Sequence, residues 1–159
     1  MTLSDRIKED LKSAMRRRDT VLMGALRMLL SSLQQKEKDK HLLFAQEGKT
    51  DSADLTDEEV QLVVASEAKK RREAIEGFEK GGAQDRAQQE KTELACLVCY
   101  LPEQMSEDEI RAIVKEAVEK TGVTSMKEIG KLMAELMPRV KGRADGSVVN
   151  NIVREILSA

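Results

Sequence analysis

The sequence is poor in proline, cysteine and aromatic residues. Its 159 residues include 2 Pro, 2 Cys, 1 Tyr, 2 Phe and no Trp. The single His removes most acid–base schemes near neutral pH, although carboxylates can substitute. No stretch approaches the ~20 apolar residues of a membrane helix, and no N-terminal run resembles a signal peptide. We therefore expect a cytoplasmic protein with no membrane contact.

What the sequence does contain is typical of helices. Hydrophobic residues make up 40% and charged residues 35%, while aromatic residues make up only 2%. The abundance of Glu, Lys, Ala, Leu and Met predicts an all-helical protein with an aliphatic, methionine-filled core. The net charge of −2 argues against bulk nonspecific nucleic-acid binding by the whole chain, but it leaves room for a local basic patch.

Apolar residues recur at helical spacing along most of the chain, without an internal repeat. Pro102 is the strongest boundary, because proline ends a helix. We predict an all-α fold with an N-terminal domain of about four helices in antiparallel pairs, residues 1–101. A small three-helix tail domain, residues 102–159, follows it.

Local signals predict where several helices begin and end. Thr56, Ser106 and Ser125 each precede a Glu by three residues, which is the pattern of a capping box. Pro138 should limit the helix that comes before it. Asp145 is the expected cap of the last helix.

Two stretches in the first 101 residues leave alternatives open. Residues 69–72 are Lys-Lys-Arg-Arg, and four adjacent side chains point all round a helix. They are either a solvated surface or a patch that binds a nucleic-acid backbone. The polar first half of the fourth helix, near residues 85–93, either projects into solvent or packs only at its far end.

The chain contains one cysteine pair, Cys96 and Cys99, with two residues between them. A zinc site needs two further ligands, and a redox motif needs a strand–helix context; neither is visible. On a helix the two thiols share one side with leucines, so we expect both to be buried apolar residues. We predict no metal site and no cofactor.

Motifs for catalysis are missing as well. The phosphate loop, the nucleophile elbow and the zinc-protease signature do not occur. The acidic triplets at 57–59 and 107–109 fall in first helical turns, where carboxylates complement the helix dipole. We therefore predict no catalytic residue.

The tail carries the most suggestive cluster. Lys127 and Lys131 are four residues apart and should be neighbours on one helix face. Lys141 and Arg143 precede the start of the last helix, where unpaired amides and the helix dipole suit a phosphate. The plainer alternative is a turn between two helices, with glycines for conformational freedom and cations for solubility. The residues that we predict to bind RNA are Lys127, Lys131, Lys141, Gly142, Arg143 and Gly146.

Four segments resemble those of the GatB/YqeY family. They are AMRRRDT at 14–20, TDEE at 56–59, YLPEQMSEDEI at 100–110 and GKLMAELMPRVKGRADGSVVN at 130–150. The resemblance is closest to free-standing YqeY-like proteins and extends over nearly the whole chain. It implies a helical domain and a tail domain, like the C-terminal region of GatB, a component of the glutamine-dependent aspartyl/glutamyl-tRNA amidotransferase.

In GatB the tail contacts tRNA, and the chemistry lies in a separate catalytic domain that has no counterpart here. The resemblance also implies a carbon–nitrogen ligase activity with glutamine as amide donor. The residues themselves favour a non-catalytic module that binds tRNA or another structured RNA. The alternatives are an accessory of the amidotransferase and a protein-interaction adaptor that uses the long N-terminal helices.

Overall fold

The computed structural model describes residues 1–158, and within that range every regular element is helical. The prediction of an all-α fold is confirmed. Contacts divide the chain into two compact units, one of residues 1–101 and one that begins at Pro102. The helices of the first unit are α1 (Leu3–Arg17), α2 (Thr20–Gln46), α3 (Asp57–Lys80) and α4 (Gln84–Val98). The second unit holds α5 (Glu107–Thr121), a 3₁₀ turn (Met126–Glu128), α6 (Ile129–Val140) and α7 (Gly146–Ser158).

Two of the three predicted capping boxes are present. Thr56 and Ser106 each begin a helix, and each exchanges bonds with the Glu three residues later. The prediction at Ser125 is wrong, because its side chain caps nothing and a 3₁₀ turn follows. The Glu128 carboxylate accepts a bond from the Thr124 amide instead, at 3.3 Å.

The prediction that Pro138 limits its helix is also wrong. Pro138 lies inside α6, which continues to Val140. Because the proline sits in the last turn, its missing amide costs the helix a single backbone bond. The amide of Lys141 still bonds to the Met137 carbonyl at 3.0 Å, so the final turn closes normally.

An aliphatic core holds the first unit together. Ile7 on α1 and the α2 leucines pack against the valines of α3. Leu97 of α4 and Tyr100, which follows α4, belong to the same core. Met15 lies in the last turn of α1 and is 49% exposed. The buried members of this core are Ile7, Ala25, Leu26, Leu29, Leu33, Leu55, Val60, Val64, Leu97 and Tyr100.

The polar half of α4 packs against α3, which neither alternative in the sequence anticipates. Ala87 is buried, and Arg86 stacks over the Phe78 ring at 5.8 Å. Lys91 forms an ion pair with Glu79 of α3. Alanine lets the two helices approach closely, and the charged side chains beside it pair across the contact.

This packing buries Arg71, so neither alternative for residues 69–72, a solvated surface or a backbone-binding patch, is right for this residue. Only 8% of it is exposed. Its guanidinium pairs with the carboxylates of Glu90, at 2.8 Å, and Glu93, both on α4. Its other terminal nitrogen lies 3.5 Å from the Met28 sulfur of α2. One charged side chain therefore ties three helices together.

The second unit has its own core, which shares no residue with the first. Apolar residues of α5, α6 and α7 share this core, with α5 packed against both other helices, and Leu132 and Leu136 of α6 have no exposed surface. The buried members are Ile110, Val114, Ala117, Val123, Leu132, Leu136, Val140, Val149, Ile152 and Val153.

Candidate functional site

The turn between α6 and α7 is held in one conformation by its own backbone. The Val140 carbonyl accepts bonds from the amides of Arg143 and Ala144, both at 3.0 Å. Gly142 has φ +76, a left-handed conformation that glycine adopts without a steric penalty. The backbone conformation of the turn that carries Lys141 and Arg143 is therefore well defined.

The segment just before α5, which contains Gln104 and Met105, also forms hydrogen bonds to this turn. The Gln104 side-chain amide donates to the carbonyls of Pro102, at 2.8 Å, and Gly142, at 2.9 Å. The Met105 amide donates to the Arg143 carbonyl at 2.8 Å. Reasoning from the sequence missed Gln104, although it lies in the YLPEQMSEDEI segment that carries the family resemblance.

Replacing Gln104 by alanine should lower the free energy of unfolding of the second unit by about 1–2 kcal/mol, because two carbonyls lose their donor. Urea unfolding followed by circular dichroism measures the change. Glu103→Ala is the matched control, since only the backbone carbonyl of Glu103 contacts the turn. Equal stability of the two variants would contradict the role given to Gln104.

Lys141 and Arg143 both reach solvent. Lys141 forms no ion pair with any described residue. Arg143 donates from Nε to the Glu103 carbonyl at 3.3 Å, which leaves its two terminal nitrogens for other partners. Hydrogen bonds from Ser106 hold the pKa of the Glu109 carboxyl below its ordinary value, and nearby Arg143 acts in the same direction.

Lys127 and Lys131 belong to two different elements, although their spacing predicts one helix. Lys127 lies in the 3₁₀ turn and Lys131 on α6, which begins at Ile129. Both are exposed and without an ion-pair partner among residues 1–158. Lys141 comes ten positions after Lys131, about 15 Å further along the helix axis. Lys131 and Lys141 therefore lie near opposite ends of α6, and the four cations do not form one tight cluster.

The start of α7 is partly occupied by a carboxylate of the chain itself. Asp145 accepts bonds from the Ser147 amide at 2.9 Å and from the Ser147 hydroxyl at 2.8 Å, so it is the cap that the sequence predicts. Gly146 is the first residue of the helix. Because one amide is already satisfied by a negative charge, this helix start suits an incoming anion less well than expected.

Three other cations of the second unit are neutralised within it. Arg139 pairs with Glu116 at 3.0 Å, and Lys120 with Glu135 at 2.5 Å. Arg111 pairs with Glu155 at 2.9 Å. The lysines at 127, 131 and 141 differ from these in lacking a carboxylate partner within the described chain.

The cysteine pair offers less chemistry than its motif suggests. Cys99 is exposed and Cys96 is partly exposed, so the prediction that both are buried is wrong. Both lie at the C-terminal end of α4. Partial desolvation there raises the pKa of each thiol and disfavours the thiolate. Across residues 1–158 no three His, Cys, Asp or Glu side chains are grouped to hold a metal ion.

Within the same range, no helix combines the length and the apolar character that crossing a membrane requires. These features define a small all-helical protein built from two units. The sequence matches the family model for Yqey-like protein over residues 4–157. The chain therefore belongs to the YqeY-like family, which confirms the family resemblance of its motifs. A comparison with curated proteins found no match.

Proposed function

We propose that this protein is a non-catalytic module that binds tRNA or another structured RNA through its second unit. The observation that supports the proposal is the set of solvent-accessible cations at Lys127, Lys131, Lys141 and Arg143. None of the three lysines has a carboxylate partner among the described residues, while the neighbouring Arg139 and Lys120 do. Exposed cations without carboxylate partners favour a polyanion over a neutral partner.

The contacts would go to phosphates and riboses, not to unstacked bases. The three aromatic residues of the chain, Phe44, Phe78 and Tyr100, all precede the second unit. Stacking platforms for single-stranded bases are thus absent from residues 102–159. Binding by charge and shape is the mode in which proteins recognise folded and double-stranded RNA.

Replacing Lys141 and Arg143 together by alanine should weaken binding to bulk tRNA about tenfold and flatten the salt dependence, because each lost phosphate contact removes about 0.7–0.9 from the slope of log K against log[salt]. Filter binding at several salt concentrations measures both quantities. A matched control is Lys115→Ala/Arg154→Ala, which removes the same charges from α5 and α7 at exposed positions.

The control is expected to bind nearly as well as the unmodified protein. If both double variants lost affinity equally, only the net charge of the unit would matter. Full retention by Lys141→Ala/Arg143→Ala would remove the turn from the site. Absence of tRNA binding by the unmodified protein at low salt would overturn the proposed function itself.

A further inference from the structure

The connection between α1 and α2 displays three consecutive arginines. Arg16 and Arg17 are the last two residues of α1, and Arg18 follows them before Asp19 and the start of α2 at Thr20; we call these three arginines the arginine turn. All three are exposed, and none forms an ion pair or side-chain hydrogen bond with any of residues 1–158. The turn therefore carries three positive charges without a carboxylate partner among the described residues.

The backbone of the turn makes the choice of arginine unusual. Arg18 has φ +56 and ψ 34, in the left-handed region that L side chains rarely adopt. Among the described residues it is the only non-glycine with positive φ. The four other positions with positive φ are Gly48, Gly82, Gly122 and Gly142. Arg18 is therefore the one described position where a residue other than glycine has a positive φ.

Local stability does not account for that exception. Arg16 and Arg17 complement the negative end of the α1 dipole, which explains basic residues in the last turn of the helix. The cap at Arg18 is made by its backbone amide, which bonds to the carbonyls of Ala14 and Met15. Any residue would make those bonds, and glycine would make them with less strain.

The neighbouring carboxylate does not account for it either. Asp19 follows Arg18 directly, but its side chain accepts the Leu22 amide at 3.1 Å and caps α2. The carboxylate is therefore engaged with the backbone, and no ion pair to the arginines forms. The three guanidinium groups remain available to an external anion.

We infer that the arginine turn is a second contact for the phosphate backbone of RNA, carried by the first unit. This inference rests on the proposed function, whose site lies entirely in the second unit. Guanidinium groups donate two parallel hydrogen bonds to phosphate oxygens, and arginine is the preferred side chain where such recognition matters. A residue that combines a strained backbone conformation with a solvent-exposed side chain is typical of a binding site.

Two variants test the inference with bulk tRNA as the probe and the full chain as the protein. Arg16→Gln/Arg17→Gln/Arg18→Gln should bind about tenfold more weakly, with a salt slope shallower by about 2–3 because up to three phosphate contacts are lost. Arg18→Gly should bind about threefold more weakly while its Tm stays the same or rises, because glycine relieves the left-handed strain. The charge-matched control is Lys36→Gln/Lys38→Gln/Lys80→Gln, at exposed positions of α2 and α3.

The outcomes separate this inference from the proposed function. Retained binding by both arginine variants, alongside loss by Lys141→Ala/Arg143→Ala, would overturn the arginine turn alone. Equal loss by the lysine control would also overturn it, since the effect would then follow net charge. A rise in Tm without any loss of affinity in Arg18→Gly would remove Arg18 from the contact. No binding by the unmodified chain would remove both proposals together.

Discussion

Replacing Arg71 by methionine should lower the free energy of unfolding by about 3 kcal/mol, because removing one member of a buried ion cluster leaves the other charges uncompensated. The two remaining carboxylates, Glu90 and Glu93, have side chains that are 22% and 15% exposed. They would lie side by side between α3 and α4 with no cation. Urea unfolding of the full chain measures the loss.

The same cluster provides its own controls. Lys69→Met, two positions earlier on α3, changes an exposed lysine and should alter stability by less than about 0.5 kcal/mol. Adding Glu90→Gln and Glu93→Gln to Arg71→Met should recover much of the loss, because no buried charge then remains. If Arg71→Met were as stable as Lys69→Met, the cluster would contribute nothing measurable.

The second large effect is expected at Leu132, which is fully buried at the centre of the second core. Leu132→Ala should cost about 2–5 kcal/mol, from lost burial and from the cavity that it leaves. A core of this size supports only a small margin of stability. We therefore expect the second unit to be mostly unfolded at temperatures where the unmodified protein is folded.

The change should stay within the second unit, because the two cores share no residue. Amide hydrogen exchange followed by mass spectrometry resolves the two units in one experiment. Protection should fall across α5–α7 and persist across α1–α4. Lys131→Ala, at the adjacent exposed position, is the control and should leave both patterns unchanged. An equal loss of protection in all seven helices would show that the cores unfold as one.

Much of the helical architecture follows from interactions between residues that are close in sequence. The helix starts at Thr56 and Ser106 depend on a partner three residues away. The Asp145 cap depends on one two residues away. Gly122 ends α5 with the positive φ that glycine tolerates best. The failed prediction at Ser125 has a local cause too, since the 3₁₀ turn places Glu128 against the Thr124 amide.

The candidate sites also combine features that the sequence predicts with features that only the structure shows. The sequence predicts the cations at Lys141 and Arg143 and the turn that carries them. It does not predict that Gln104 fastens that turn from 38 residues away, or that Lys127 lies outside the helix of Lys131. It also shows three arginines at 16–18 without showing that the last one adopts a glycine-like conformation.

The sequence by itself determined the helical class, the family and most helix boundaries, because periodicity, caps and glycines act over one or two turns of chain. Only the tertiary structure decided which charged residues are buried. Arg71 and Lys69 read alike in sequence, yet one is enclosed by carboxylates on another helix and the other faces solvent. That difference arises from packing between α3 and α4, and short-range pattern contains no information about which helix face a distant helix will cover.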